Sequence, residues 1–149
     1  MTSVRTAVHI GAPAQQIYRL ASDTARWPEL LPHYRFVRVL EQHGDERTVE
    51  MAARRGAIPV RWTAVQRNDP AAPAIYFRHL TGWTKDMEVV WRFAEDARGT
   101  LVTIEHELDF RFFIARRWIE KYIVGRYFID GVAGRTLACM KRLAESDVR

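Results

Sequence analysis

Residues 4–10 alternate Val4, Thr6, Val8 and Ile10 against Arg5, Ala7 and His9, the two-residue period of a half-buried strand. Gly11-Ala12-Pro13 ends it, and Pro13 suits the first turn of a helix. Ile17, Leu20 and Ala21 then mark a short amphipathic helix to about Ser22. Asp23 is placed to cap a second short helix near Ala25–Leu31, which Pro32 stops. Strand-like runs follow: Tyr34–Leu40, Thr48–Arg54 after a turn at Gly44-Asp45, and Val60–Arg67 with Trp62, Ala64 and Gln66 on one face. Residues 68–73, Asn-Asp-Pro-Ala-Ala-Pro, form a strong loop signal. Ile75–Leu80 is the next strand, and Gly82 breaks it. In Asp86–Glu95, Met87, Val89, Trp91 and Phe93 alternate with Asp86, Glu88, Val90 and Arg92. Gly99 turns the chain into Leu101–Phe110, where Val102, Ile104, His106 and Leu108 share a face.

After Phe113 the period changes. Trp118, Tyr122, Ile129, Val132, Thr136, Met140 and Leu143 recur at helical spacing, which predicts one long C-terminal helix. Gly125, Gly131 and Gly134 lie inside it, each costing about 1 kcal/mol against Ala. They either bend the helix, make room above a cavity, or let it pack closely on the sheet. With no repeat or linker, residues 1–149 read as one domain. The order is a strand, two short helices, about six strands and a long helix. An α+β fold satisfies it, with a curved antiparallel sheet wrapped around the last helix. The space between sheet and helix is the expected pocket.

Composition narrows the chemistry. Five Trp, seven Phe and five Tyr suffice to line a pocket as well as fill a core. A single cysteine, Cys139, excludes an intramolecular disulfide and a Cys-based zinc site and fits a reducing compartment. The N-terminus shows no apolar signal region, and no apolar run approaches the ~18 residues that span a bilayer. A cytoplasmic protein is expected. The net charge of +5 is spread among both signs, as on a solvated basic surface, except over residues 111–126. Serine is scarce and no nucleophile elbow or Gly-rich phosphate loop is present. His9, His33, His43, His79 and His106 make no metal-ligand spacing. Neither a metal nor another cofactor is expected.

The segment Trp27-Pro28-Glu29-Leu30 followed by Tyr34, set between the first strand and the alternating runs, resembles the polyketide aromatase/cyclases. These are members of the START-like (SRPBCC) superfamily with its helix-grip, Bet v 1-like fold. The likeness extends over nearly the whole chain through motifs of moderate specificity. It implies an internal cavity holding a hydrophobic, aromatic or polyketide-like small molecule, and folding of a poly-β-ketone for aldol cyclisation or dehydration. In tetracenomycin-type cyclases a similar Trp-Pro-Glu segment and Tyr face the cavity mouth. Carried over, Trp27, Tyr34, Trp62, Arg67 and Trp91 line the pocket, with Phe77, Met87 and Tyr122 completing the ligand-binding set. Tyr34 and Arg67 are the candidates for polarising a ketone and stabilising an enolate, and His106 is the candidate base.

Each residue also has a structural reading. Trp27 serves equally as a plug, and Trp62 and Trp91 as core. His106 fits a hydrogen-bonded core histidine, and Arg67 shares the parity of Val65, which turns it toward solvent. The C-terminal third, residues 102–112 and then Phe128-Ile129-Asp130-Gly131, is similar to Coq10-type quinone carriers. That likeness implies a non-catalytic lipid or quinone carrier. Its mouth would lie at Phe110–Trp118, where apolar anchors beside Arg111, Arg116 and Arg117 suit a membrane surface. A ribosome-binding branch of the superfamily makes a partner-binding module the weaker alternative. Nucleic acid is not the expected partner.

Overall fold

The computed structural model describes residues 2–82, 84–108 and 115–147; of residues 2, 108, 115–125, 128 and 147 it describes the backbone alone. The chain runs β1 (Thr2–Ile10), α1 (Ala14–Ser22), a 3-10 turn (Thr24–Arg26), α2 (Trp27–Leu30), β2 (Tyr34–His43), β3 (Glu46–Arg55), β4 (Ile58–Asp69), β5 (Ala74–His79), β6 (Glu88–Asp96), β7 (Gly99–Leu108) and α3 (Ala115–Asp147). The seven strands form one antiparallel sheet in the order β1-β7-β6-β5-β4-β3-β2. Every strand but β1 thus pairs with its sequence neighbours, and β1 closes onto β7 from Thr2↔Leu108 to Ile10↔Thr100. The helix-grip arrangement expected from the sequence is present. No helix of the described residues is long and apolar enough to cross a membrane.

Boundaries differ where tertiary pairing extends a strand. Asn68 and Asp69, read as loop, belong to β4 and pair with Ile75 and Ala74. Asp86, read as the start of a strand, lies instead in the β5–β6 turn with φ 70°. The expected Asp23 side-chain cap is not formed. A buried amide holds that segment instead: Gln66 Nε2 donates to Ser22 O at 2.9 Å, and Thr24 Oγ1 donates to Gln66 Oε1 at 2.7 Å. Glu95 Oε1 accepts from the Ala14 N–H at 2.8 Å, which satisfies the start of α1 and sets a carboxylate at its positive end.

The core is uneven along α3. Its C-terminal half carries Leu137, Met140 and Ala144 into solid contact with Ile10, Ile17, Ala21 and Val102, all at most 2% exposed. The segment from Ile129 to Thr136 lies over the other end of the sheet, where the packing stays open. Two glycines fit the helix and sheet together by close approach. At Gly131 a β-carbon would collide with the Arg55 side chain, whose guanidinium lies 4.0 Å over the Tyr127 ring. This is the close-packing role anticipated for the helix glycines. At Gly99, φ is 140° and a β-carbon would run into Ile10 O, because the β6–β7 turn abuts the end of β1.

Gly99→Ala should therefore cost more than 2 kcal/mol by combining backbone strain with a backbone collision, on the order of the largest single-site effects. Gly44→Ala, at φ 61° with open space around it, should cost only about 1 kcal/mol. Urea midpoints of the two variants at matched slopes would check the ordering, and equal midpoints would refute it.

Candidate functional site

The gap between sheet and helix is a cavity of about 330 Å³, at the lower end of the roughly 300–1,000 Å³ typical of small-molecule sites. Its walls follow from strand parity. On β4, Trp62, Ala64 and Gln66 face inward as their alternation predicts, and Trp62 reaches the cavity. Phe77 and His79 on β5, Val89 and Trp91 on β6, and Ile104 and His106 on β7 form successive inward rows. Ile129, Val132, Ala133 and Thr136 of α3 make the roof.

Rings dominate the lining. Trp27, 2% exposed, is delivered by α2 and packs its indole against Tyr34 at 4.9 Å, Trp91 at 5.8 Å and Phe77 at 6.3 Å between centroids. Tyr34 lies edge-on to Trp62 at 6.2 Å, and Trp62 stacks on His79 at 5.6 Å with planes 3° apart. The chain of contacts continues from Trp91 through Phe93 to Tyr18. Trp27 is therefore both plug and wall.

Polar groups enter at two places. At the helix, Thr136 Oγ1 donates to Val132 O at 2.8 Å and lies 2.8 Å from His33 Nε2. The Tyr34 hydroxyl also bonds Thr136, although burial still pushes its pKa up. With the Thr136 proton spent on Val132, His33 Nε2 must carry the proton in its bond to Thr136. On the sheet, His79 Nδ1 lies 2.8 Å from Thr84 Oγ1. His106 Nδ1 is buried with no hydrogen-bond partner among the described residues. Burial lowers all three imidazoles from 6.5: His79 to about 3, His106 to about 4 and His33 to about 4. The His106 charge adds to the effect on His79, and the Arg135 charge to that on His33. At neutral pH these imidazoles are thus neutral donors and acceptors, and the charged side chain in the cavity lining is the exposed Arg61.

Of the residues expected from the sequence, Trp27, Tyr34, Trp62, Phe77, Met87, Trp91 and His106 all meet at this cavity. Arg67 does not. It is exposed on the outer face, its guanidinium 4.2 Å over the ring of its cross-strand partner Tyr76. At this end of β4 the pleat turns Arg67, in phase with Val65, away from the inward Ala64 and Gln66, so the expectation that Arg67 lines the pocket is corrected. The Tyr122 side chain and the proposed mouth at Phe110–Trp118 lie outside the described residues. His79, Thr84, Thr136, Arg61 and Met51 also line the cavity and were not singled out from sequence. His79 had an available signal, because it shares the inward parity of Ile75 and Phe77.

The neutral imidazoles make stability depend on acid. The unfolded chain protonates them near 6.5 and the folded chain resists, so below 6.5 the unfolded state binds more protons. Stability should fall as pH drops from about 6.5 toward 4, each histidine steepening the slope by up to about 1.4 kcal/mol per pH unit. His79→Phe and His106→Phe should each flatten the slope by about one proton between pH 6 and 5. Urea denaturation across that range reads it; unchanged slopes would mean the rings are already charged in the fold.

Comparison with known proteins agrees with this architecture. Residues 10–116 match the family described as polyketide cyclase/dehydrase and lipid transport. Among solved structures, the Zhui aromatase/cyclase from Streptomyces sp. R1128 superposes with a TM-score of 0.86 at 22% identity, over 99% of this chain and 96% of that one. The di-domain aromatase/cyclase StfQ of the steffimycin biosynthetic pathway gives 0.80 at 14% identity, over 98% of this chain and 51% of StfQ. A START superfamily protein from Mycobacterium smegmatis gives 0.71 at 15%, over 97% of both chains. At these identities the structures speak for the fold, and the family match, over more than two thirds of the sequence, speaks for membership. With its curved sheet, long helix and aromatic cavity, the chain belongs to the polyketide cyclase/dehydrase and lipid transport family.

Proposed function

We propose that the protein is a cyclase or dehydrase that binds an aromatic or polyketide-like molecule in the cavity and promotes aldol cyclisation or dehydration. The observation that carries this reading is the convergence of Tyr34, Thr84, Thr136, His79 and His106 on a cavity otherwise lined by rings, aliphatic groups and the exposed Arg61. A carrier for a lipid or quinone tail needs only the apolar part of that lining. Each buried polar group without a partner costs about 1–3 kcal/mol, a cost that function recovers when a ligand supplies the missing bond. The family and its aromatase/cyclase structural neighbours support the same reading.

In this reading the aromatic walls force a flexible poly-β-ketone into a compact fold, and proximity supplies much of the rate. The His106 lone pair removes an α-proton beside a ketone, giving an enolate that attacks a second carbonyl. The protonated imidazole then returns that proton to the new alkoxide. The Tyr34 hydroxyl hydrogen-bonds the oxygen on which charge builds. Arg67, outside the cavity, takes no part.

A synthetic linear poly-β-ketone thioester, with cyclised product resolved by chromatography, tests the proposal. His106→Gln should lower turnover by about 10²–10⁴, whereas Arg67→Ala should stay within about twofold, as expected for a remote surface residue. Wild-type protein that binds the thioester but yields no more product than buffer would be a carrier, and this reading would fall.

A further inference from the structure

Glycine is a poor helix former, yet Gly131 stands inside α3 between the cavity-lining Ile129 and Val132. Its backbone is helical, so no positive φ calls for glycine there. What calls for it is Arg55. A β-carbon at Gly131 would overlap the Arg55 side chain, whereas Gly134, three residues on, has open space around it. The guanidinium seated in this notch lies 4.0 Å over the Tyr127 ring. Arg55 therefore reaches from the last residue of β3 to the middle of α3.

That reach falls where the cavity meets solvent. Arg55 pairs with Ile58 across the β3–β4 turn. The next residues, Pro59, Val60 and Arg61, line the cavity, and Pro59 and Arg61 are exposed. On the helix, the roof residues Ile129, Val132 and Ala133 flank the notch. One side chain thus ties the hairpin to the roof beside the opening. The tie is a weak one. Asp130, next to the notch in sequence, is paired with Arg126 at 3.4 Å. Arg55 Nε is buried with no hydrogen-bond partner among the described residues. An unpaired buried N–H opposes the seated position, and water would satisfy it on release. Tyr127 is 47% exposed, so the ring contact is of the weaker, solvent-facing kind.

We propose that Arg55 is the latch of the cavity entrance. Seated in the Gly131 notch, it holds the β3–β4 hairpin against α3; released, it opens a path for ligand between them. The proposal rests on the cavity being a ligand site and adds the route by which that site fills. Arg55, Tyr127 and Gly131 are not among the lining residues, so the latch sets exchange rates rather than affinity. A seated latch also keeps bulk water from a bound ligand, as closing elements do at other enclosed sites.

Stopped-flow quenching of tryptophan fluorescence by 2-acetonaphthone reads both rates, since Trp27, Trp62 and Trp91 line the cavity. Arg55→Ala should raise association and dissociation together by about fivefold, the size of one exposed cation–π contact. Kd should stay within about twofold, because the open fraction multiplies both rates alike. Gly131→Ala should do the same by expelling the guanidinium while favouring the helix, which separates the latch from loss of fold. The double variant should be no faster than either single one. Gly134→Ala should leave both rates unchanged. Rates in Arg55→Ala and Gly131→Ala within about twofold of wild type would overturn the latch. Faster dissociation alone, with Kd weakened to match, would make Arg55 a ligand contact and overturn it as well. Failure of 2-acetonaphthone to bind the wild type would instead remove the ligand cavity itself.

Discussion

The indole of Trp27 is the contact on which the open end of this fold depends. One long helix cannot fill the concavity of a seven-stranded sheet; among the described side chains of α3, those of its C-terminal half pack solidly and those from Ile129 to Thr136 border a cavity. At the other end something must stop the sheet from collapsing onto the helix. A four-residue helix, started by the turn that Gln66 anchors, sets Trp27 against Tyr34, Phe77 and Trp91. Those rings brace β2, β5 and β6 at fixed separations. Large planar side chains meeting edge-on or tilted cannot close the last space between them, so the brace that stabilises this end also preserves the void.

The same packing decides the chemistry available inside. A void bounded by rings has a low dielectric, and charge is expensive there. The three histidines respond by staying neutral, and the Tyr34 hydroxyl holds its proton more tightly than in water. A base of low intrinsic pKa is weak in solution. On the proposed reading, the acids it meets in this cavity are carbonyl compounds whose enolates are stabilised by hydrogen bonds. Neutral donors and acceptors placed in advance suit that task, since they need no reorganisation as charge develops. Burial thus keeps the imidazoles and the Tyr34 hydroxyl neutral, which suits the proposed proton transfers.

Much of this was legible in the chain because sheet geometry is a parity rule. Once the strands are placed, Trp62, Phe77, Met87, Trp91 and His106 fall on the inward face by counting in twos. The Trp27-Pro28 step marks a helix start that brings an indole in from the loop. The same count warned that Arg67, in phase with Val65, faces out, and there the pleat prevails over the resemblance. What stayed hidden needed three dimensions. Thr84 reaches His79 only through a turn that includes Asp86 at positive φ. Thr136 becomes a hub only when α3 docks beside His33 and Tyr34. Arg55 finds its notch at Gly131 across 76 positions of sequence, and no local pattern encodes such a pairing.

The loss of Arg67 from the pocket changes the argument about mechanism more than the gain of any one residue. Arg67 on the inner face would have set a fixed positive charge among the rings; the cation that does line the cavity is Arg61, which is itself exposed. With Arg67 stacked on Tyr76 outside, a negative charge developing in the proposed reaction would be met by hydrogen bonds directed by the frame and by Arg61, the exposed cation that lines the cavity. Several of the inward polar groups are held by a neighbour: Tyr34 and Thr136 bond one another, and His79 bonds Thr84. A hydrogen bond whose partners cannot rotate away holds more of its strength in the transition state than one that must be reorganised. On the proposed reading, the rigidity imposed by Trp27 and Trp62 is part of the catalytic argument, because it holds the neutral groups in place as charge develops.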